Sequence, residues 1–241
     1  MSFAQNAGGV GKVKAAQNRK RKTNTTRSLK LKGGRTGKTK GKPTAKGTGK
    51  VKAHQFYETP PEATQGLFMR HREFLPKGRK VWEPAVGGWK LADVLTAQGL
   101  DVVGTDLIDH GPRTPGGVAF QTADWPEGMG PGDAIITNPP FDQAEAFITH
   151  AVVHLQAGFV AMLLKVSYFN AGERLALFDR CPPSYVHPLG WRLDFTGEGS
   201  PAMEMAWYVW TPEDTLGRTY FEPMPRPRPD CADLFGGGQN G

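Results

Sequence analysis

Between residues 54 and 221 the apolar positions alternate between short continuous runs and stretches of helical spacing. Lys80-Val81-Trp82-Glu83 predicts a short strand that stops at Pro84, which has no backbone N–H to donate. From Trp89 to Leu100 the apolar residues Leu91, Val94, Leu95 and Leu100 fall at helical intervals, with Gly99 closing the helix. Asp101 to Asp106 predicts a second strand, and Val118 to Gln121 a third. The run Asp133 to Asn138 is apolar throughout and bounded by turn residues, as expected of a strand buried on both faces. Asp142 to Leu155 predicts a helix, Phe159 to Val166 the strongest strand, and Ala171 to Arg180 a helix stopped by Pro182-Pro183. Met205 to Trp210 is a late strand, read as half-buried because Trp207, Tyr208 and Trp210 stand near alternate positions. Strands alternating with helices at this spacing predict an α/β fold with a doubly wound, mostly parallel sheet.

Composition changes the picture at the two ends. Residues 1–53 hold 16 Lys and Arg and no Asp or Glu, whereas the remaining 14 basic residues face all 23 acidic ones, a net of −9. The formal +7 of the whole chain therefore averages a cationic tail with a mildly acidic body. The tail has few large apolar side chains and reads as disordered, since it cannot bury enough surface to offset its ordering entropy. Gly33 to Thr39 (GGRTGKT) is one residue too short for a phosphate-binding loop, and no strand precedes it. The tail lacks the apolar core of a secretory signal, and its Lys- and Gly-rich, stripe-free pattern does not suit a transit peptide. From residue 222 to 241 a Pro- and Gly-rich stretch predicts a second loose tail. Cys181 and Cys231 are too few for a disulfide framework and lack metal-site spacing, which fits reduced thiols and a cytoplasmic address. No apolar run approaches the ~18 residues of a membrane span.

A parallel sheet binds ligands at the carboxyl ends of its strands. That places four predicted loops on one rim: Pro84–Trp89, Asp106–Ile108, Asp124–Trp125 and Asn138–Phe141. The segment DAIITNPPF resembles the catalytic motif of class I amino-methyltransferases, in particular the small adenine-N6-specific enzymes common in bacteriophages. VWEPAVGGWKLADVL resembles that family's cofactor turn, VVGTD its second strand, and FYETPPEATQGLF its N-terminal motif, in the family's order from about Gln55 to Phe221. The resemblance implies a Rossmann-like class I methyltransferase fold with a late antiparallel strand and S-adenosyl-L-methionine as cofactor. It assigns cofactor contacts to Tyr57, Thr59, Pro60, Glu83, Ala85, Gly87, Gly88, Asp106, Asp124 and Asn138, with Asp106 toward the ribose and Asp124 toward the adenine. It assigns catalysis to Asn138, Pro139, Pro140 and Phe141.

The residues support this chemistry on their own terms. An aromatic amine is a poor nucleophile because its lone pair is delocalised into the ring. It gains nucleophilicity when its N–H bonds point at fixed acceptors, and Asn138 offers a side-chain oxygen while Pro139 offers a backbone one. Both prolines have fixed φ, so the turn is stiff. Phe141 is suited to stack on a base flipped from its duplex. Glu83 and Asp106 stand 23 residues apart, close to the roughly 20 expected between a nucleotide-binding turn and its ribose acid. One position departs from the family: Trp89 occupies the place of a turn glycine. An indole there either crowds the approach of backbone to cofactor or, with the turn shifted by Gly88, packs on the helix.

Other features lead to narrower expectations. His150 and His154 lie four apart but lack a third ligand, so no metal is expected. Lys165 and Tyr168-Phe169 follow the core strand on the rim and read as sheet-edge packing with a possible substrate contact. With no separate recognition domain, base discrimination falls to short loops such as Arg180–Ser200. Ala232-Asp233-Leu234-Phe235 weakly resembles sliding-clamp peptides, and Asn18–Lys22 a nuclear address. The cationic tail points to a nucleic-acid partner, because it would neutralise phosphates whatever the base sequence. Three functions follow in order: a DNA adenine-N6 methyltransferase in a bacterial or phage-infected cell; the same chemistry on RNA adenine, cytosine N4 or protein glutamine; or a nucleic-acid-binding scaffold without turnover.

Overall fold

The computed structural model describes residues 57–199, 201–212 and 217–228. The basic tail 1–53, Cys231 and the Ala232–Phe235 peptide lie outside the described residues. In chain order the elements are helix α1 (Pro61–Arg70), strand β1 (Lys80–Glu83), helix α2 (Lys90–Ala97), and strands β2 (Asp101–Gly104) and β3 (Ala134–Thr137). There follow helix α3 (Ala144–Thr149), which runs into a π-helical segment over His150–His154, then strand β4 (Phe159–Lys165) and helix α4 (Leu175–Arg180). Strands β5 (Tyr185–Pro188), β6 (Met205–Trp210) and β7 (Tyr220–Phe221) complete the described set.

The seven strands form one sheet in the order β2-β1-β3-β4-β6-β5-β7. β2, β1, β3 and β4 run parallel; β6 is antiparallel to both β4 and β5, and β7 is parallel to β5. Alternate residues of the central strands serve two cores. Val81, Ile136 and Trp207 pack with Leu67 of α1 and Leu91 and Leu95 of α2. Their neighbours Trp82, Ile135 and Tyr208 pack with Phe147 and Ile148 of α3 and Leu177 of α4. Helices on both faces explain why β3 and β4 are apolar at nearly every position. The chain leaves β1 for β2 on one side and returns to β3 on the other, so the sheet has its switch point between β1 and β3.

Four expectations need correction. Val118–Gln121 does not form a strand: positive φ at Gly116 and Gly117 turns the chain, and Phe120–Thr122 is a 3-10 turn. Phe120 is drawn inward instead, with its ring 5.0 Å edge-on from Trp82 and 4.8 Å from Phe147. β6 is buried at all six positions rather than half-buried. It runs between β4 and β5, and its indoles reach opposite layers, Trp207 Nε1 donating to Ala63 O (2.9 Å) and Trp210 Nε1 to Cys181 O (3.0 Å). The stretch from residue 222 is not loose at its start: Glu222 N bonds Val186 O (3.0 Å), Met224 N bonds Pro188 O (2.8 Å), and Met224 is buried in the core. Finally, the interval from Arg180 to Ser200 contains β5, whose pattern gave no strand signal.

No helix among the described residues is long and apolar enough to cross a membrane.

Candidate active site

An open cleft of about 240 Å³ lies over the carboxyl ends of β1 and β3. Its floor begins with Glu83, the last residue of β1, which is 1% exposed. Glu83 Oε1 accepts the Ala85 N–H at 3.2 Å, while Oε2 and the hydroxyl of Thr137 at the end of β3 are buried and interact without a well-formed hydrogen bond. Burial pushes the Glu83 carboxyl up to about 8, against the opposing pull of Thr137 and the Ala85 amide. The turn then bends at Gly87, which has φ of 49° and donates its N–H to Asp106 Oδ2 at 3.0 Å. A Cβ on Gly88 would lie 2.1 Å from Glu58 Oε1, so the Glu58 carboxylate rests directly on the turn. Glu58 in turn pairs with Lys90 at the start of α2.

Asp106, two residues past β2, is held by both neighbouring loops. Besides Gly87 it accepts the Ile108 N–H at 2.9 Å, and His110 Nε2 stands 3.4 Å from its Oδ2. It thereby joins the turn after β1 to the loop after β2.

Asn138 follows β3 directly and faces the cleft. Its Nδ2 donates to Tyr57 O at 3.1 Å and to Thr59 Oγ1 at 3.2 Å. A backbone carbonyl can only accept, so the contact with Tyr57 fixes which end of the amide is which. Oδ1 is left as an oriented acceptor with no hydrogen bond among the described residues. Thr59 thus serves Asn138 and does not cap α1, whose first turn starts on Pro61 with no side-chain cap. Pro140 O accepts Gln143 N–H at 2.9 Å, which tightens the turn, and Gln143 pairs with Gln121 on the cleft wall. Beside it, the Phe141 and Tyr57 rings stack at 5.7 Å, Tyr57 meets Phe195 at 5.3 Å, and Lys165 Nζ lies 5.0 Å from the Phe141 centroid.

Of the predicted residues, Tyr57, Thr59, Glu83, Ala85, Gly87, Gly88, Asp106, Asn138 and Pro140 line this one cleft. Pro60, Pro139 and Phe141 stand next to lining residues without lining it. Asp124 is exposed and off the cleft, a correction that follows from the 3-10 turn, which sends Phe120 and Gln121 to the wall in its place. Trp89 does not crowd the cleft. It is the left-handed residue before α2 (φ 69°), and its indole lies against Gly104, where a Cβ would sit 2.8 Å from the ring. Sequence reasoning missed Glu58, His110, Gln121, Gln143 and Phe195; only His110, four residues after Asp106, offered a spacing signal. His150 Nε2 contacts Ala123 O at 2.9 Å and its ring meets Phe120 edge-on, and no cluster of three metal-ligating side chains occurs among the described residues.

No protein-family model matches the chain, and no curated protein matches it. Among solved structures, the methyltransferase subunit of a type I restriction-modification system from Streptococcus thermophilus superposes with a TM-score of 0.52 at 14% identity. That match covers 75% of this chain, which spans only 52% of that subunit. A candidate RNA methyltransferase from Pyrococcus horikoshii gives 0.49 at 12% identity, over 66% of this chain and 87% of that one. At such identity the first match shows the fold alone: a mixed seven-stranded α/β sheet of the Rossmann-like class I methyltransferase type.

Proposed function

We propose that this protein transfers a methyl group from S-adenosyl-L-methionine to an exocyclic amino group, with adenine N6 in DNA as the substrate. The observation that carries the reading is the held amide of Asn138, whose donor end is tied to Tyr57 and Thr59 so that its acceptor end is free. An acceptor fixed in advance costs no reorganisation when a substrate amine arrives.

The cleft residues fit the cofactor. S-adenosyl-L-methionine brings two cationic groups and a ribose, and Glu58, Glu83 and Asp106 all border the cleft. Glu83 Oε2 is a buried oxygen without a well-formed hydrogen bond, and the Gly87 turn presents backbone rather than side chain. Bound there, the cofactor supplies an already electrophilic methyl group, so no strong general base is required of the protein. Asn138 Oδ1 accepts one N–H of the amine, which localises the nitrogen lone pair. The Pro139 carbonyl is assigned the second N–H, in a turn whose two prolines cannot relax. Phe141, already stacked on Tyr57, offers its ring to the base plane. Geometry does most of the catalytic work.

DNA is favoured by the 16 cations and absent acids of residues 1–53, set beside a body of net −9 that would repel a polyanion. RNA adenine, cytosine N4 and protein glutamine present the same amine chemistry and are outcomes of the test. Incubation with labelled methyl donor and separate DNA, RNA and protein pools, followed by digestion and mass spectrometry, decides among them. Label in N6-methyladenine from DNA is expected. Label confined to another pool moves the substrate there, and no incorporation in any pool leaves a nucleic-acid-binding scaffold without turnover.

A further inference from the structure

The loop from Leu107 to Gly117 forms the wall of the cleft beside Asp106, with Leu107, Ile108 and His110 lining it. Its base is closed by Gly117 N to Leu107 O (3.0 Å) and Val118 N to Asp106 O (3.0 Å). Nearer the tip, Thr114 N bonds Gly111 O (2.8 Å) and His110 N bonds Thr114 O (3.0 Å). The loop is folded tightly on itself: Gly116 has φ of 75°, and a Cβ there would meet Asp109 N at 2.6 Å. Leu107 is 46% exposed although it lines the cleft, so the wall is thin and has little core behind it.

What holds the tip is Trp89. Its Nε1 donates to Thr114 Oγ1 at 2.6 Å, and Thr114 is only 2% exposed. The Arg113 guanidinium lies 3.7 Å over the indole and also pairs with Asp93 of α2 at 2.8 Å. The Cζ2–Cη2 edge of the ring is seated on Gly104 of β2. A positive φ at a bulky residue is unfavourable, and it persists only when contacts over-determine it. Here a hydrogen bond, a stacked cation and a glycine seat do so together.

We infer that Trp89 is a positioning residue, a fastener that holds the loop 107–117 as the cleft wall and so sets cofactor affinity. The inference rests on the proposed cofactor reading. It reverses the meaning of the departure at this position: a glycine here would relieve the backbone and release the wall.

The test compares Trp89→Gly, Trp89→Phe, Thr114→Val and Thr114→Ser with the parent chain. Two readouts are taken: amide hydrogen exchange of residues 107–118, and calorimetric binding of S-adenosyl-L-methionine. Trp89→Phe and Thr114→Val lose the hydrogen bond and are expected to raise Kd about tenfold, and Trp89→Gly more. Thr114→Ser keeps the hydroxyl and should stay within about twofold of the parent. Exchange at Gly117 and Val118 should quicken in step with Kd. KM for S-adenosyl-L-methionine should rise while kcat at saturation holds, a split that general destabilisation does not produce. Faster exchange with unchanged affinity, or unchanged exchange in Thr114→Val, overturns the inference. If the parent chain itself binds no S-adenosyl-L-methionine, the cofactor reading fails and takes the affinity role with it, while the exchange arm still decides whether Trp89 fastens the loop.

Discussion

The cleft over β1 and β3 and the seam between α1 and β5 both bury polar side chains, but they use them in opposite ways. In the cleft, Asn138 spends its donors on Tyr57 and Thr59 and keeps Oδ1 free, and Glu83 Oε2 makes no well-formed hydrogen bond. In the seam, His71 Nε2 meets His187 Nε2 at 2.9 Å, and His187 Nδ1 meets Glu222 O at 2.9 Å. Glu222 O can only accept, so His187 Nδ1 carries the proton and its Nε2 is the acceptor. His71 Nε2 must then donate, which leaves His71 Nδ1 as a bare lone pair, consistent with its having no partner. Phe159 and Tyr185 rings close around His71 at 5.6 and 5.2 Å. The spare lone pair of His71 is walled off, whereas the spare acceptor of Asn138 faces space that a ligand can enter. Unused hydrogen-bonding capacity next to open volume marks function; used-up capacity inside a ring cage marks structure.

The largest effect that would break this contrast is expected at Asn138. Asn138→Ala should lower turnover by about 10²–10³-fold or more while leaving cofactor affinity within a few-fold, read from labelled methyl transfer and calorimetry. Asn138→Asp sharpens the point. It retains acceptor oxygens but sets one against the Tyr57 carbonyl, so it too should lose activity. An aspartate variant with parental turnover would remove the argument from orientation. The seam should behave in reverse. His187→Phe strands the buried His71 N–H and is expected to cost about 2–3 kcal/mol in urea unfolding, with KM for the methyl donor unchanged. A change in KM without loss of stability would erase the distinction.

How much of this was legible in the chain depends on whether the signal was local. β3 and β4 read correctly because strands covered on both faces are apolar at nearly every position, and β1 because Val81-Trp82 is cut off by Pro84 one residue past Glu83. Glu83, Asp106 and Asn138 were therefore placed on one rim by topology alone. β5 was illegible because its four residues include His187 and Pro188, and its partner strand β6 comes later in the chain. Asp124 was misplaced because a 3-10 turn and a third strand share the same few apolar letters, and only the contacts of Phe120 with Trp82 and Phe147 separate them. For Trp89 the chain leaves open both crowding of the cofactor and packing on the helix, since nothing local reveals that its hydrogen-bond partner, Thr114, lies 25 residues on.

The smallest of the expected effects tests both regions through pH. Burial, helped by the neighbouring charges of His187 and Arg70, lowers His71 to about 3, and burial also lowers His187. Both are neutral when folded and take up protons only on unfolding, so stability falls as pH drops below the ordinary histidine value of 6.5 toward 3. Glu83 has the opposite sense. Its carboxyl is raised to about 8, so the folded chain holds a proton that the unfolded chain releases above 4.5. Its contribution is complete below 4.5 and is lost as pH rises through 8. The acid limb of the stability profile therefore belongs to the seam and the alkaline limb to the cleft. Glu83→Gln carries the neutral side chain at every pH, so it should flatten the alkaline limb by on the order of 1–2 kcal/mol and steepen the acid limb between 4.5 and 6.5, where the two effects oppose. His187→Phe should lessen the acid limb and leave the alkaline one. Urea unfolding between pH 4 and 9 measures both. An alkaline limb that persists in Glu83→Gln would mean that another group sets it and that Glu83 does not hold the extra proton in the folded chain.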